Sequence, residues 1–287
     1  MILFGPSGNS DSFYAQGHKH TYEAFSWIKK LGLGAYEYSF GRGVRVGQPA
    51  AEKIGAQAAS HGIFLSVHAP YYINLATDEK EKREGNIRFF LKTAQAAKWM
   101  GAKRIVFHPG SESGVKRDLA FARVKESLFE IIKILDSEKL LDIEICPETM
   151  GRIKQIGDLT EVIELCAIDE RLVPAVDFGH LHARGLGALK TRDDFRAVLD
   201  ELENSLGGYR ARRFHVHFSR IEYSAAGERK HHTFADTDYG PDFSPLAYLL
   251  AKRRLEPVII CESKGTMAED AVDMKKMYEY QLAQYEN

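Results

Sequence analysis

An apolar run closes on Ala175-Val-Asp-Phe-Gly-His180, which sets an Asp and, three residues on, a His at the end of a short β-prone segment. Imidazole and carboxylate ligands together suit zinc, manganese or iron. The pattern recurs along the chain: ionisable residues close other apolar runs at His68, His108, Glu148, His217 and Glu262. A lone His or Glu in such a place is ordinarily a satisfied polar residue. Six in succession are harder to explain that way, because three carboxylates around one opening repel unless cations hold them together. Six groups also exceed what one tetrahedral ion takes, so the pattern implies two or more ions sharing a carboxylate. Further imidazoles follow at His180, His182, His231 and His232, and His180 lies close enough to Asp177 in sequence to rim the same mouth.

The elements that must position these groups are legible in the hydrophobic pattern. Short apolar, β-rich runs cover residues 2–4, 35–40, 64–68, 104–108, 142–148, 172–177, 214–218 and 257–262. Helical spacing covers 22–31, 49–61, 79–100, 118–137, 159–168, 193–206, 244–254 and 268–285. Strands alternating with helices indicate βα units and a parallel sheet, and eight of them match an α/β fold of the (β/α)8 TIM-barrel type, expected as a single domain over residues 1–287. An open doubly wound sheet is the alternative, but no Gly-rich phosphate fingerprint follows the first run. Pro174 cannot donate to a ladder and is expected at the start of the sixth strand.

Side chains alternate faces along a strand. His68 therefore shares a face with Ser66 and Phe64, His108 with Val106 and Arg104, and Glu148 with Cys146 and Glu144. By the same rule Asp177 goes with Ala175 and Val173, His217 with His215, and Glu262 with Ile260 and Val258. These faces read as the barrel interior, with the ionisable groups at the C-terminal mouth, where barrel enzymes keep their active sites. His215, one layer deeper, is either a partner of His217 or core.

At 287 residues and 44% hydrophobic content the chain can bury a large core. A formal net charge of −1 gives no global sign of nucleic-acid binding. Basic clusters at Arg42/Arg45, Arg210/Arg212/Arg213/Arg220 and Arg229/Lys230 stand out locally, although charge runs are usually solvated faces. Three cysteines form no disulfide framework; they point to a reducing, cytoplasmic location and read as small buried hydrophobes. The opening residues lack a signal peptide's basic region, and no segment approaches the roughly 20 apolar residues of a membrane span.

Several of these pieces resemble the endonuclease IV family of apurinic/apyrimidinic endonucleases, within the xylose-isomerase-like TIM barrel superfamily. They are His68-Ala-Pro-Tyr-Tyr-Ile-Asn-Leu75, His108-Pro-Gly-Ser111, Pro147-Glu-Thr-Met-Gly151, Asp177-Phe-Gly-His-Leu-His-Ala-Arg-Gly185, His217, His231-His232 and Glu262. The resemblance implies zinc ions at the mouth. His68, His108 and Glu148 would hold the first; Glu148, Asp177, His217 and Glu262 the second; His180 and His231 the third, with an Asp two residues before His231. Here that position is Arg229, which puts the third ion in question and leaves Glu228, Asp236 or Asp238 to supply the missing group.

The implied activity is incision of double-stranded DNA on the 5′ side of an abasic site by metal-activated hydroxide, leaving a 3′-hydroxyl and a 5′-deoxyribose phosphate. Glu148 and Glu262 would be the catalytic carboxylates, one bridging the ions and the other positioning the hydroxide. Tyr71 and Tyr72 would wedge into the duplex, Arg42 or Arg45 would fill the gap, and Arg229 and Lys230 would meet phosphates. The superfamily also admits a sugar isomerase or epimerase that holds one Mn2+ or Mg2+ with Glu148, Asp177, His217 and Glu262 and moves protons with the carboxylates. That role leaves His68, His108 and His231 without a common purpose. A metal-binding barrel without catalysis is the third class.

Overall fold

The structure, a computed structural model, describes residues 1–140 and 142–286. Its parallel strands are β1 (Leu3–Pro6), β2 (Ala35–Ser39), β3 (Phe64–His68), β4 (Arg104–Phe107), β5 (Glu144–Pro147), β6 (Ala175–Asp177), β7 (His215–Phe218) and β8 (Val258–Cys261). Ladders join β2-β3-β4-β5 on one side and β1-β8-β7-β6 on the other. Parallel bridges at Ser7/Glu37, Ile145/Leu172 and Glu148/Ala175 close the halves into the expected (β/α)8 barrel. Gly5 makes one closure possible, since a Cβ there would lie 1.8 Å from the Ala35 carbonyl oxygen.

The alternation rule sorts the core. Leu65, Val67, Ile105, Phe107, Ile145, Val216 and Phe218 pack outward against the helices, whereas Val106, Cys146, Val173 and Ala175 fill the barrel interior. The helices follow their own period: Arg192–Leu206 buries Phe195, Val198, Leu199 and Leu202, and Thr191 with Asp194 closes its start in a reciprocal cap. Pro174 sits just before β6, as expected, and its carbonyl accepts from His215 N at 2.9 Å.

Several elements depart from the sequence reading. The first strand is Leu3–Pro6 rather than 2–4, and a 3-10 turn, Thr21–Glu23, opens the first barrel helix before Ala24–Lys30. The residues after β6, expected as loop, form the helix Phe178–Arg184, because the Asp177 carboxylate accepts from His180 N at 2.7 Å and caps its first turn. After β7, where the hydrophobic pattern assigns neither strand nor helix, the chain forms an antiparallel hairpin of Arg220–Ser224 and Gly227–His232. The arginine cluster at 210–213 is structural: Arg210 donates to the Cys166 and Leu172 carbonyls and Arg213 pairs with Glu256. Cys146, Cys166 and Cys261 are free and buried. Among the described residues no helix is long and apolar enough to cross a membrane.

Candidate metal centre

β3, β6 and β7 bring His68, Asp177 and His217 to the mouth directly, while His108, Glu148 and Glu262 stand one residue past β4, β5 and β8. Glu148 is their meeting point. Its Oε2 lies 3.0 Å from His68 Nε2 and 3.1 Å from His108 Nε2, and its Oε1 lies 2.9 Å from His217 Nδ1 and 3.5 Å from His180 Nδ1. The carboxylate thus divides its oxygens between two sets of imidazoles. Glu262 Oε1 stands 3.6 Å from His217 Nδ1, and Glu148, Asp177, His217 and Glu262 can offer ligand atoms within 4.8 Å of one another.

The electrostatics of this cluster are divided. Burial alone would raise the Glu148 carboxyl, but His217 and His108 hold it well below the usual range. Burial depresses His68, and the adjoining Glu148 more than reverses that, raising it to about 9. His180 is likewise lowered by burial and then raised to about 9 by Asp177, Glu228 and Glu148. Asp177 goes the other way: burial, Glu262 and Glu148 push it up against the pull of His180. Its Oδ2 is buried with no hydrogen-bond partner. The orphaned carboxylate oxygen and the mixed imidazole and carboxylate donors fit borderline divalent metals.

The backbone selects which imidazole nitrogen faces the mouth. His68 Nδ1 meets the Ala69 carbonyl at 2.8 Å, and His180 Nδ1 meets the Thr149 carbonyl at 2.9 Å. Carbonyls only accept, so both rings are protonated there and can offer Nε2. His231 Nδ1 rests on Ser219 Oγ at 2.8 Å, again leaving Nε2 for the mouth.

His180, Glu228 and His231 form a further set of candidate ligands, with Glu228 Oε2 3.4 Å from His180 Nε2 and Glu228 Oε1 3.8 Å from His231 Nε2. Glu228 therefore stands where the resemblance asks for an Asp two residues before His231. The hairpin explains the offset. Glu222 pairs with Lys230 and Tyr223 with Glu228, so Arg229 is the extra residue of a β-bulge. The bulge returns Glu228 to the face of His231 and turns Arg229 outward, where it pairs with Glu222 at 2.9 Å. Gly151 admits this approach, since a Cβ there would lie 2.6 Å from Glu228 Cβ and 3.0 Å from His180 Cδ2. Asp236 is taken up by Thr233, and Asp238 lines a separate groove with Arg220.

The mouth opens into a cavity of about 460 Å³ whose walls include His68, His108, His180, Glu228, His231 and Glu262, with Tyr71, Arg152 and Gln155 at the rim. Tyr71 is 63% exposed and Tyr72 packs edge-on against Phe89. Arg42 and Arg45 are exposed on the segment after β2 and make no ion pair among the described residues. Lys230 lines an adjoining hollow with Lys264, Ser7 and Glu262. His182 is separate from the centre, its Nδ1 engaged by the backbone of Leu189. The sequence reading passed over Arg152, Lys264 and Glu37; Glu37 carried a signal, since it alternates with Ala35 and Ser39 on the inward face of β2.

The family description "Xylose isomerase-like TIM barrel" matches residues 25–279. The chain belongs to that family and is endonuclease IV-like within it. It is 32% identical over 278 residues to an uncharacterized protein of Methanocaldococcus jannaschii, covering 97% of each chain. It is 30% identical over 228 residues to a probable endonuclease 4 of Staphylococcus carnosus, covering 77% of this chain and 73% of that one. Among solved structures, endonuclease IV from Thermus thermophilus superposes with a TM-score of 0.69 at 20% identity, covering 98% of each chain. A D-tagatose 3-epimerase-like protein superposes with a TM-score of 0.74 at 16% identity over 100% of each, a likeness of fold.

Proposed function

We propose that this chain is a metal-dependent phosphodiesterase that incises duplex DNA on the 5′ side of an abasic site, with zinc as the resident metal. The observation that carries this reading is the divided Glu148 carboxylate, with His68 and His108 on one oxygen and His217 on the other. Such an arrangement would suit two ions that share one carboxylate. His68, His108 and Glu148 would hold one ion, and Glu148, Asp177, His217 and Glu262 the next. His180, Glu228 and His231 would hold a third.

Divalent ions so placed would supply Lewis acidity toward a phosphodiester and activate water at neutral pH. The chain's own residues do the rest. Glu262, partly exposed beside His217, would position the attacking water. Lys230, Lys264 and Arg152 border the opening and would hold the strand through its phosphates, positioning it without reading sequence. Tyr71 offers an exposed ring to the gap left by the missing base, and a base-free sugar leaves the stack at lower cost than an intact nucleotide.

An epimerase reading rests on the quartet Glu148, Asp177, His217 and Glu262 alone, which would hold a single Mn2+ or Mg2+. It leaves the His68/His108 pair and the His180–Glu228–His231 set without work, so the phosphodiesterase is preferred. Metal analysis of purified protein separates the two: two or three tightly held zinc ions per chain are expected, and a single exchangeable manganese would favour the epimerase.

A further inference from the structure

Glu37, His215 and Arg104 are ionisable residues of the barrel interior with no place among these ligand sets, and Glu37 is the carboxylate among them. Glu37, on β2, is fully buried. Ser66 Oγ donates to its Oε2 at 2.8 Å, His215 Nε2 lies 3.1 Å from Oε2, and His217 Nε2 lies 3.0 Å from Oε1. Among the described residues no Lys or Arg pairs with it. A carboxylate buried in this way is tolerated only beside compensating positive charge or donors, and imidazoles are what it has.

His217 differs from the neighbouring imidazoles. His68, His180 and His231 rest their distant nitrogens on a carbonyl or a hydroxyl and turn Nε2 toward the mouth. His217 is reversed: Nδ1 is hydrogen-bonded to Glu148 Oε1, and Nε2 stands 3.0 Å from Glu37 Oε1 as an ion-pair contact, both atoms buried and without another partner. A neutral imidazole has one N–H and one lone pair, so Nδ1 can hold an ion only if the proton is on Nε2. Glu37 occupies the place that keeps it there, and a carboxylate behind a ligand imidazole strengthens it as a donor.

We propose that Glu37 is the positioning residue for His217: it keeps the ring protonated at Nε2 with Nδ1 toward the ion, and strengthens that ligand, while the Ser66 hydroxyl holds Glu37 in place. This rests on the reading of His217 as a metal ligand. Zinc-loaded wild type and Glu37→Gln are compared by chelator competition, with thermal melting to report the fold. The variant is expected to fold and to bind one ion roughly 10- to 100-fold more weakly. Nitrogen-15 NMR of histidine-labelled, zinc-loaded wild type, which needs no variant, is expected to show His217 protonated at Nε2. Equal affinity in Glu37→Gln, or a His217 proton on Nδ1, would overturn the proposal. Glu37, His215 and His217 also lie close enough to hold an ion themselves, and anomalous scattering from one there would make Glu37 a ligand and overturn it as well. A wild-type chain that takes up no ion would fail the metal-centre reading itself, and this inference with it.

Discussion

The inner and outer parts of the candidate metal centre are built on different foundations. His68, His108, Glu148, Asp177, His217 and Glu262 end parallel strands, where the ladders of a closed barrel fix both position and direction. His180, Glu228 and His231 come from a capped helix and a bulged hairpin, and His231 keeps 26% of its side chain exposed against 0% for His217. Glu148, Asp177 and His217 are buried and cannot move without disturbing the core. Within the outer set, Glu228 depends on one irregularity in one hairpin and on Gly151 beneath it.

The largest effect is expected at the residue shared by the inner sets. Glu148→Ala leaves His68, His108 and His217 without their common carboxylate. It should abolish ion retention and incision and destabilise the metal-free protein by about 3–5 kcal/mol, as removal of one partner from a buried pair does. Metal analysis and urea unfolding read both effects. An effect of similar size from an outer substitution would erase the distinction between the two parts.

The outer set offers a sharper contrast. Glu228→Gln is expected to release the outer ion, to keep the inner ones and to lower incision by roughly 10- to 100-fold. Arg229→Asp, which supplies the Asp that the resemblance implies at that position, is expected to change neither metal content nor activity, because the bulge turns position 229 toward Glu222. A gain of metal in Arg229→Asp would show that the hairpin pairs in a different register.

The clustering of the inner residues was readable because strand alternation has a fixed period and the eight strands keep it. Asp177 and Glu148 follow from counting residues, and the same counting applied to β2 reaches Glu37. Glu228 was not readable in that way. A β-bulge shifts the facing by one residue and has no signature in the side chains around it, so counting back two from His231 lands on Arg229. The helix after β6 was hidden for a related reason: its start depends on the Asp177 carboxylate serving as a cap as well as a candidate ligand.

Protons should compete with metal at both parts. In the metal-free protein His68 and His180 stand at about 9 against an ordinary 6.5, so their pairing with carboxylates stabilises the fold fully below pH 6.5 and is lost as pH rises through about 9. Metal uptake should accordingly release protons, and apparent affinity should climb with pH up to about 9. Calorimetry in buffers of different ionisation enthalpy measures the protons released; uptake without release would contradict the assignment. The smallest effect is expected outside the centre. Arg42→Ala and Arg45→Ala should leave metal content unchanged and make duplex binding less sensitive to salt, the log–log slope falling by about one for each phosphate no longer neutralised.

The central claim is tested most directly by incubating zinc-loaded protein with a duplex carrying one abasic site, beside His108→Ala as the control. The account predicts a single nick 5′ to the site, ending in a 3′-hydroxyl and a 5′-deoxyribose phosphate, with no nick from a folded His108→Ala. An intact duplex with the zinc-loaded wild type, or equal incision by wild type and variant, would contradict it.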